Sequence, residues 1–142
     1  MSQNKPIILL DPYPRTMDLL FSKENLNYLK KNFKLITAPN KNKNNFYEKN
    51  LPKADYIFGQ PNLPSSLISK STKLKAIFNV ESNFMDNMDY DYCFRKGIHV
   101  LATSPVFAQP VAEMAMGLTL SIARSIHTVS YTHLRAHETS YD

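Results

Sequence analysis

Leu74-Lys75-Ala76-Ile77-Phe78-Asn79-Val80 and Ile98-His99-Val100-Leu101-Ala102 are short runs of strand-forming residues. Between them lies Asp86 to Lys96, a helix-length segment closed by Gly97. Asp86 or Asn87 is placed to cap that helix, because a side-chain oxygen there accepts from the orphan amides of the first turn. Glycine just past the last turn is the usual stop, since it takes a left-handed backbone at no cost. Strand, helix, glycine stop and strand together form the unit of a parallel sheet. The rest of the chain repeats this alternation. Pro6-Ile7-Ile8-Leu9-Leu10-Asp11 is a continuous apolar run of the kind buried on both faces. A helix follows over Arg15 to Asn32, with apolar residues at Met17, Leu20, Phe21, Leu26 and Leu29. Phe33 to Ala38 and Ala54 to Gly59 read as the second and third strands. Residues 40–50, rich in Asn and Lys, read as a polar loop or a poorly formed helix. Pro64 suits the first turn of a short helix carrying Leu67 and Ile68. The expected fold is α/β: a doubly wound parallel sheet, flavodoxin-like, of about five strands, plus a long apolar C-terminal helix. Ligands in such sheets bind at the carboxyl ends of the strands. Those ends are Asp11-Pro12-Tyr13, Gly59-Gln60-Pro61, Val80 to Phe84 and Thr103-Ser104-Pro105.

Composition removes several functions. The 142 residues suit one domain. The 3 glycines are Gly59, Gly97 and Gly117, too far apart for a phosphate-cradling loop. A single cysteine, Cys93, precludes an internal disulfide and a Cys-cluster zinc site, and is read as buried and inert. The net charge of +5 comes mainly from Lys mixed with Asn, without the Arg–aromatic interleaving that stacks bases. No nucleic-acid partner is expected. No apolar run approaches the roughly 18 residues of a membrane span, and the first residues lack a secretory leader. No membrane partner is expected, and the protein is read as cytoplasmic.

Residues 109–126 differ from the other helices. Pro110 is read at a first-turn position, with Glu113 in the first turns, where an acid is worth about 0.3–1 kcal/mol against the helix dipole. Met114, Met116, Leu118, Leu120, Ile122 and Ile126 follow with few polar residues between them. A helix apolar nearly all round is buried on most sides. It is expected to pack on another domain or subunit.

From Leu74 to Arg124 the sequence resembles the D-isomer-specific 2-hydroxyacid dehydrogenases, in their N-terminal catalytic (substrate) domain. Leu74-Lys75-Ala76-Ile77, Asp86-Asn87-Met88-Asp89, Lys96-Gly97-Ile98-His99-Val100, Ser104-Pro105, Val111-Ala112-Glu113-Met114-Ala115 and Arg124 carry the likeness, in that order. The resemblance implies a parent oxidoreductase, a homodimer that moves a hydride between a small 2-hydroxy acid and NAD. It implies a second, NAD-binding domain holding the catalytic Arg, Glu and His. That domain is absent here, so no catalytic residue is assigned to this chain, and the fragment is expected to be inactive. In the family, backbone amides of the loop after the fourth strand hold the substrate carboxylate. The matching residues are Val80, Glu81, Ser82 and Asn83. Glu81 and Asn83 stand where the family has glycines, and one extra residue precedes Asp86. Glu81, pointed inward, would repel an acid. Thr103 matches the hinge and Glu113 the glutamate of the interdomain helix; both are assigned to the cofactor side. The expected division is residues 1–103 as substrate domain, 104–127 as hinge and interdomain helix, and 128–142 as a non-native tail. Val129 to Thr139 resembles one reading frame of a transposase-type sequencing adapter, so His133 and His137 are not read as metal ligands. The alternative is a non-enzymatic flavodoxin-like binding or partner-subunit module.

Overall fold

The computed structural model describes residues 5–81 and 83–126. The chain divides into two compact units, residues 1–103 and residues 104–142. The first is built on five strands: β1 (Ile7–Asp11), β2 (Lys34–Thr37), β3 (Tyr56–Gly59), β4 (Ala76–Phe78) and β5 (His99–Leu101). All neighbours are parallel, in the order β2-β1-β3-β4-β5. This is the flavodoxin order expected from the sequence. Its helices are α1 (Met17–Leu20), α2 (Lys23–Asn32), α3 (Lys43–Asn50), α4 (Ser65–Ile68) and α5 (Tyr90–Arg95).

Alternation along the strands sorts the core. Leu9, Ile57, Ile77 and Val100 point to one face, where they meet Tyr47, Leu51, Leu63, Leu67, Ile68 and Cys93. Each fully buried Leu or Ile there stabilises the fold by about 1.5–3 kcal/mol. The opposite face carries Ile8, Leu10, Tyr56, Phe58 and Phe78, flanked by Phe21, Leu29 and Phe33 around a groove of about 350 Å³. The Phe58 and Phe78 rings stack at 6.0 Å, and Phe21 tilts against Phe58 at 4.9 Å.

Several local expectations are corrected. The helix read over Arg15 to Asn32 is broken at Phe21–Ser22, because the Ser22 hydroxyl accepts from Asn25 N at 3.2 Å and starts α2 afresh. Residues 43–50 form a helix despite their polarity, since Tyr47 and Asn50 are buried. The cap of α5 is Asp89, not Asp86 or Asn87; its carboxylate accepts from Tyr92 N at 2.8 Å. Gly97 ends α5 with φ +70°, as the sequence indicates.

The second unit is α6 (Ser104–Ala123). It starts at Ser104, ahead of the position 109 read from the sequence, so Pro110 lies inside it and Glu113 lies beyond its first turn. The dipole argument for Glu113 therefore fails; its carboxylate instead accepts from Gln109 Nε2 at 2.9 Å, one turn back. No residue of α6 is buried. By length and composition α6 is long and apolar enough to cross a membrane. A helix covered by another protein surface passes the same test, and the expectation that no segment would do so is corrected.

Candidate substrate-binding edge

The carboxyl edge of the sheet begins with Asp11, the last residue of β1. It is 3% exposed. Its carboxylate accepts from Lys43 Nζ at 2.6 Å and from the Tyr47 hydroxyl at 3.0 Å. Lys43 also lies 5.0 Å from the Tyr13 ring centroid. Both oxygens of this buried carboxylate have a donor, so Asp11 ties α3 to the end of β1 and is not left open for a ligand. Gly59 pairs with Asp11 across β1 and β3. A Cβ at Gly59, where φ is +155°, would overlap the Asp11 carbonyl oxygen, so glycine lets these two strand ends close up.

The loops after β3 and β4 are stitched together. Gln60, directly after β3, uses both ends of its amide. Its Oε1 accepts from Glu81 N at 3.2 Å, and its Nε2 donates to Asn83 O at 2.9 Å. Further along, Asn87 Nδ2 donates to Pro61 O at 2.7 Å, and Leu63 N donates to Asn87 O at 2.7 Å. The Tyr90 hydroxyl donates to Met85 O at 2.7 Å, accepts from Met85 N at 3.1 Å and lies 2.9 Å from Asn87 Oδ1. Burial raises the pKa of Tyr90 above the usual phenol value, so it remains a donor at neutral pH.

The residues assigned from sequence are distributed as follows. Val80 is half-buried, Glu81 half-buried and Asn83 exposed, all in the loop after β4; Ser82 lies outside the described residues. The Glu81 carboxylate is engaged: Arg15 Nε and Nη2 donate to its two oxygens at 3.0 and 3.3 Å. Its charge is thus opposed by a guanidinium, which answers the expected repulsion of an acid. The Glu81 amide is engaged too, by Gln60, so this amide is not open to a substrate while that bond stands. Thr103 follows β5 on the same edge, since Asn79 N donates to Leu101 O at 2.8 Å and keeps the ends of β4 and β5 paired. Glu113 belongs to the second unit. Asn79 is 3% exposed, and neither atom of its side-chain amide has a hydrogen-bond partner among the described residues. Gln60 stands at a strand end with no signature of its role in the sequence, and Arg15, the first residue of the helix read over Arg15 to Asn32, lies before α1. The bend forced by Pro12 and Pro14 was the available signal.

Among the described residues no group of His, Cys, Asp and Glu is placed to hold a metal ion. His133 and His137 lie outside those residues. The three glycines fall at a strand end, a helix stop and the middle of α6, so the described residues do not build a dinucleotide loop. Cys93 is buried, and burial raises its pKa further from the thiolate.

The model of the D-isomer specific 2-hydroxyacid dehydrogenase catalytic domain matches residues 15–140. The chain belongs to this family. The match runs through Val129 to Thr139, the stretch that resembles an adapter frame. A phosphoglycerate oxidoreductase from Rhizobium etli is 39% identical, with a TM-score of 0.69, over 86% of this chain and 38% of its own. The PH0520 protein of Pyrococcus horikoshii is 21% identical (TM-score 0.64), over 93% of this chain and 38% of its own. A 3-phosphoglycerate dehydrogenase from Entamoeba histolytica, solved with NAD+, is 19% identical (TM-score 0.60), over 82% and 39%. The latter two establish the fold alone. Comparison with curated proteins gives no match. The chain therefore spans well under half the length of these relatives.

Proposed function

We propose that this chain is the substrate-side domain of an NAD-dependent oxidoreductase that transfers a hydride between C2 of a small 2-hydroxy acid and nicotinamide. The observation that carries the reading is the loop Val80–Asn83, clamped at Glu81 and Asn83 by Gln60 on the carboxyl edge of the sheet. Gln60 fixes the loop at Glu81 and at Asn83, and binding a small carboxylate requires such a fixed loop. Family membership and the identity to the Rhizobium etli enzyme support the reading. The described residues lack a phosphate loop for NAD. This chain's own part is to hold the acid's carboxylate and orient C2. The catalytic Arg, Glu and His belong to the companion domain, as does NAD itself. Thr103 and Glu113 are assigned to the cofactor side of the joint. Residues 1–103 form the substrate domain, 104–127 the hinge and interdomain helix, and 128–142 a non-native tail. The parent is a cytoplasmic homodimer, and the apolar α6 is covered there.

Long reads of the source DNA across the codons for Ile126 to Asp142 test this. A frame that continues into a strand and a G-x-G-x-x-G loop is expected. A genome that encodes Val129 to Asp142 and then stops overturns the reading and leaves a binding or partner-subunit module. The purified 142-residue chain is expected to show no NADH-dependent turnover.

A further inference from the structure

Arg15 stands on the turn that leaves β1, where its amide donates to Pro12 O at 2.7 Å. A guanidinium offers five N–H donors in one plane, with two edges that each match a carboxylate or phosphate. Glu81 takes the edge formed by Nε and Nη2. The edge formed by Nη1 and the second Nη2 hydrogen has no partner among the described residues. The Arg15 side chain is 52% exposed and that of Glu81 29%. The guanidinium is therefore half exposed, with one edge anchored on Glu81. The anchor lies in the loop read as holding the acid's carboxylate, and Gln60 fixes that loop from the other side. Glu81 thus orients the guanidinium beside this loop and keeps it from swinging into solvent, at no net cost in charge.

We infer that Arg15 is a specificity-determining residue that receives a second anionic group, a carboxylate or a phosphate, on the 2-hydroxy acid. The inference rests on the substrate-loop reading above and narrows its substrate class. An acid with a single charge leaves the free edge of Arg15 on water and gains nothing from it. An acid with a distal anion gains charge-assisted hydrogen bonds to a donor pair that is already oriented. Because the site is half exposed, the gain is modest, about tenfold in affinity.

The test is a chemical-shift titration of the whole chain with D-glycerate, D-malate and D-3-phosphoglycerate. At least one of the two acids that carry a distal anion is expected to bind about tenfold tighter than D-glycerate. Preference for D-malate assigns the distal group as carboxylate, and preference for D-3-phosphoglycerate assigns it as phosphate. Arg15→Gln removes the preference: it weakens the acid with the distal anion more than D-glycerate, which loses only the countercharge to Glu81. Arg15→Lys restores only part of it, because an ammonium lacks the paired edge. Equal binding of all three acids by the unmodified chain overturns the inference and leaves the loop reading intact. So does an Arg15→Gln variant that loses D-glycerate as fully as the acids with a distal anion. No binding of any acid overturns both.

Discussion

The Tyr47 hydroxyl donates to Asp11 Oδ2 at 3.0 Å, and the two residues are 1% and 3% exposed. The bond joins α3 to the carboxyl end of β1 from inside the core. Burial, with the Asp11 charge and hydrogen bond behind it, raises the Tyr47 pKa far above its usual value, so the hydroxyl remains a donor at any ordinary pH. Tyr47→Phe keeps the ring and deletes the donor. Asp11 keeps Lys43 on its other oxygen but loses its buried partner. The expected loss is about 1–3 kcal/mol of unfolding free energy, read from the urea midpoint at unchanged slope. An unchanged midpoint would mean that water replaces the hydroxyl and that the bond does not hold α3.

That bond also marks where the sequence is legible and where it is not. Asp11 stands at the end of an apolar run and is placed correctly at a strand end. Tyr47 sits among Asn44, Asn45, Glu48 and Lys49, where no apolar period announces a helix. Its burial depends on a carboxylate supplied from 36 residues away. The strands were readable because a parallel sheet buries both faces and so needs continuous apolar runs. Their order followed from handedness and the regular alternation with helices. Caps and starts were less readable. Asp86, Asn87 and Asp89 are all competent caps by residue type, and only the turn made by Asn87 N on Met85 O selects Asp89. Pro110 resembles a first-turn proline, yet α6 has already begun at Ser104. The loop Val80–Asn83 was found from the likeness to the family. The residues that shape it, Gln60 and Arg15, come from distant segments and carry no local signature.

At the opposite edge of the sheet, Asp55 is 8% exposed; its Oδ2 accepts from Ile7 N at 2.8 Å and from Lys73 Nζ at 3.2 Å. Burial alone would raise its pKa. The Ile7 amide and the Lys73 and Lys75 charges outweigh burial, and the net shift is downward from 3.8. A carboxyl with a lower pKa folded than unfolded stabilises the protein fully above the unfolded value. That contribution disappears as pH falls through the folded value, below 3.8. Thermal melts between neutral pH and pH about 2 are expected to show an acid-side loss of stability that shrinks in Asp55→Asn. The variant should also be less stable than the unmodified chain at neutral pH, because the ionised partner of Lys73 is gone. An identical acid limb in both proteins would assign the loss to other carboxyls.

The apolar surface of α6 sets the last expectation. Val106 is 73% exposed, Met116 67% and Ile122 72%, and Met114, Leu118 and Leu120 are exposed beside them. Large apolar side chains stand nearly all round this 20-residue helix, a stripe through Met116 and Leu120 among them, and soluble monomers rarely leave such a surface open. Water is displaced whenever two such surfaces meet, so the whole chain is expected to self-associate. Light scattering should return a mass above 16.3 kDa that rises with protein concentration. Replacing Met116 and Leu120 with Glu interrupts the stripe and should return the monomer mass, while leaving the near-ultraviolet signal of the aromatic sheet face unchanged. A shortened chain ending at Thr103 should behave likewise, since the core residues Leu9, Ile57, Ile77 and Val100 all precede that point. A concentration-independent monomer mass for the unmodified chain would show that α6 is covered within one molecule and that association does not depend on this stripe.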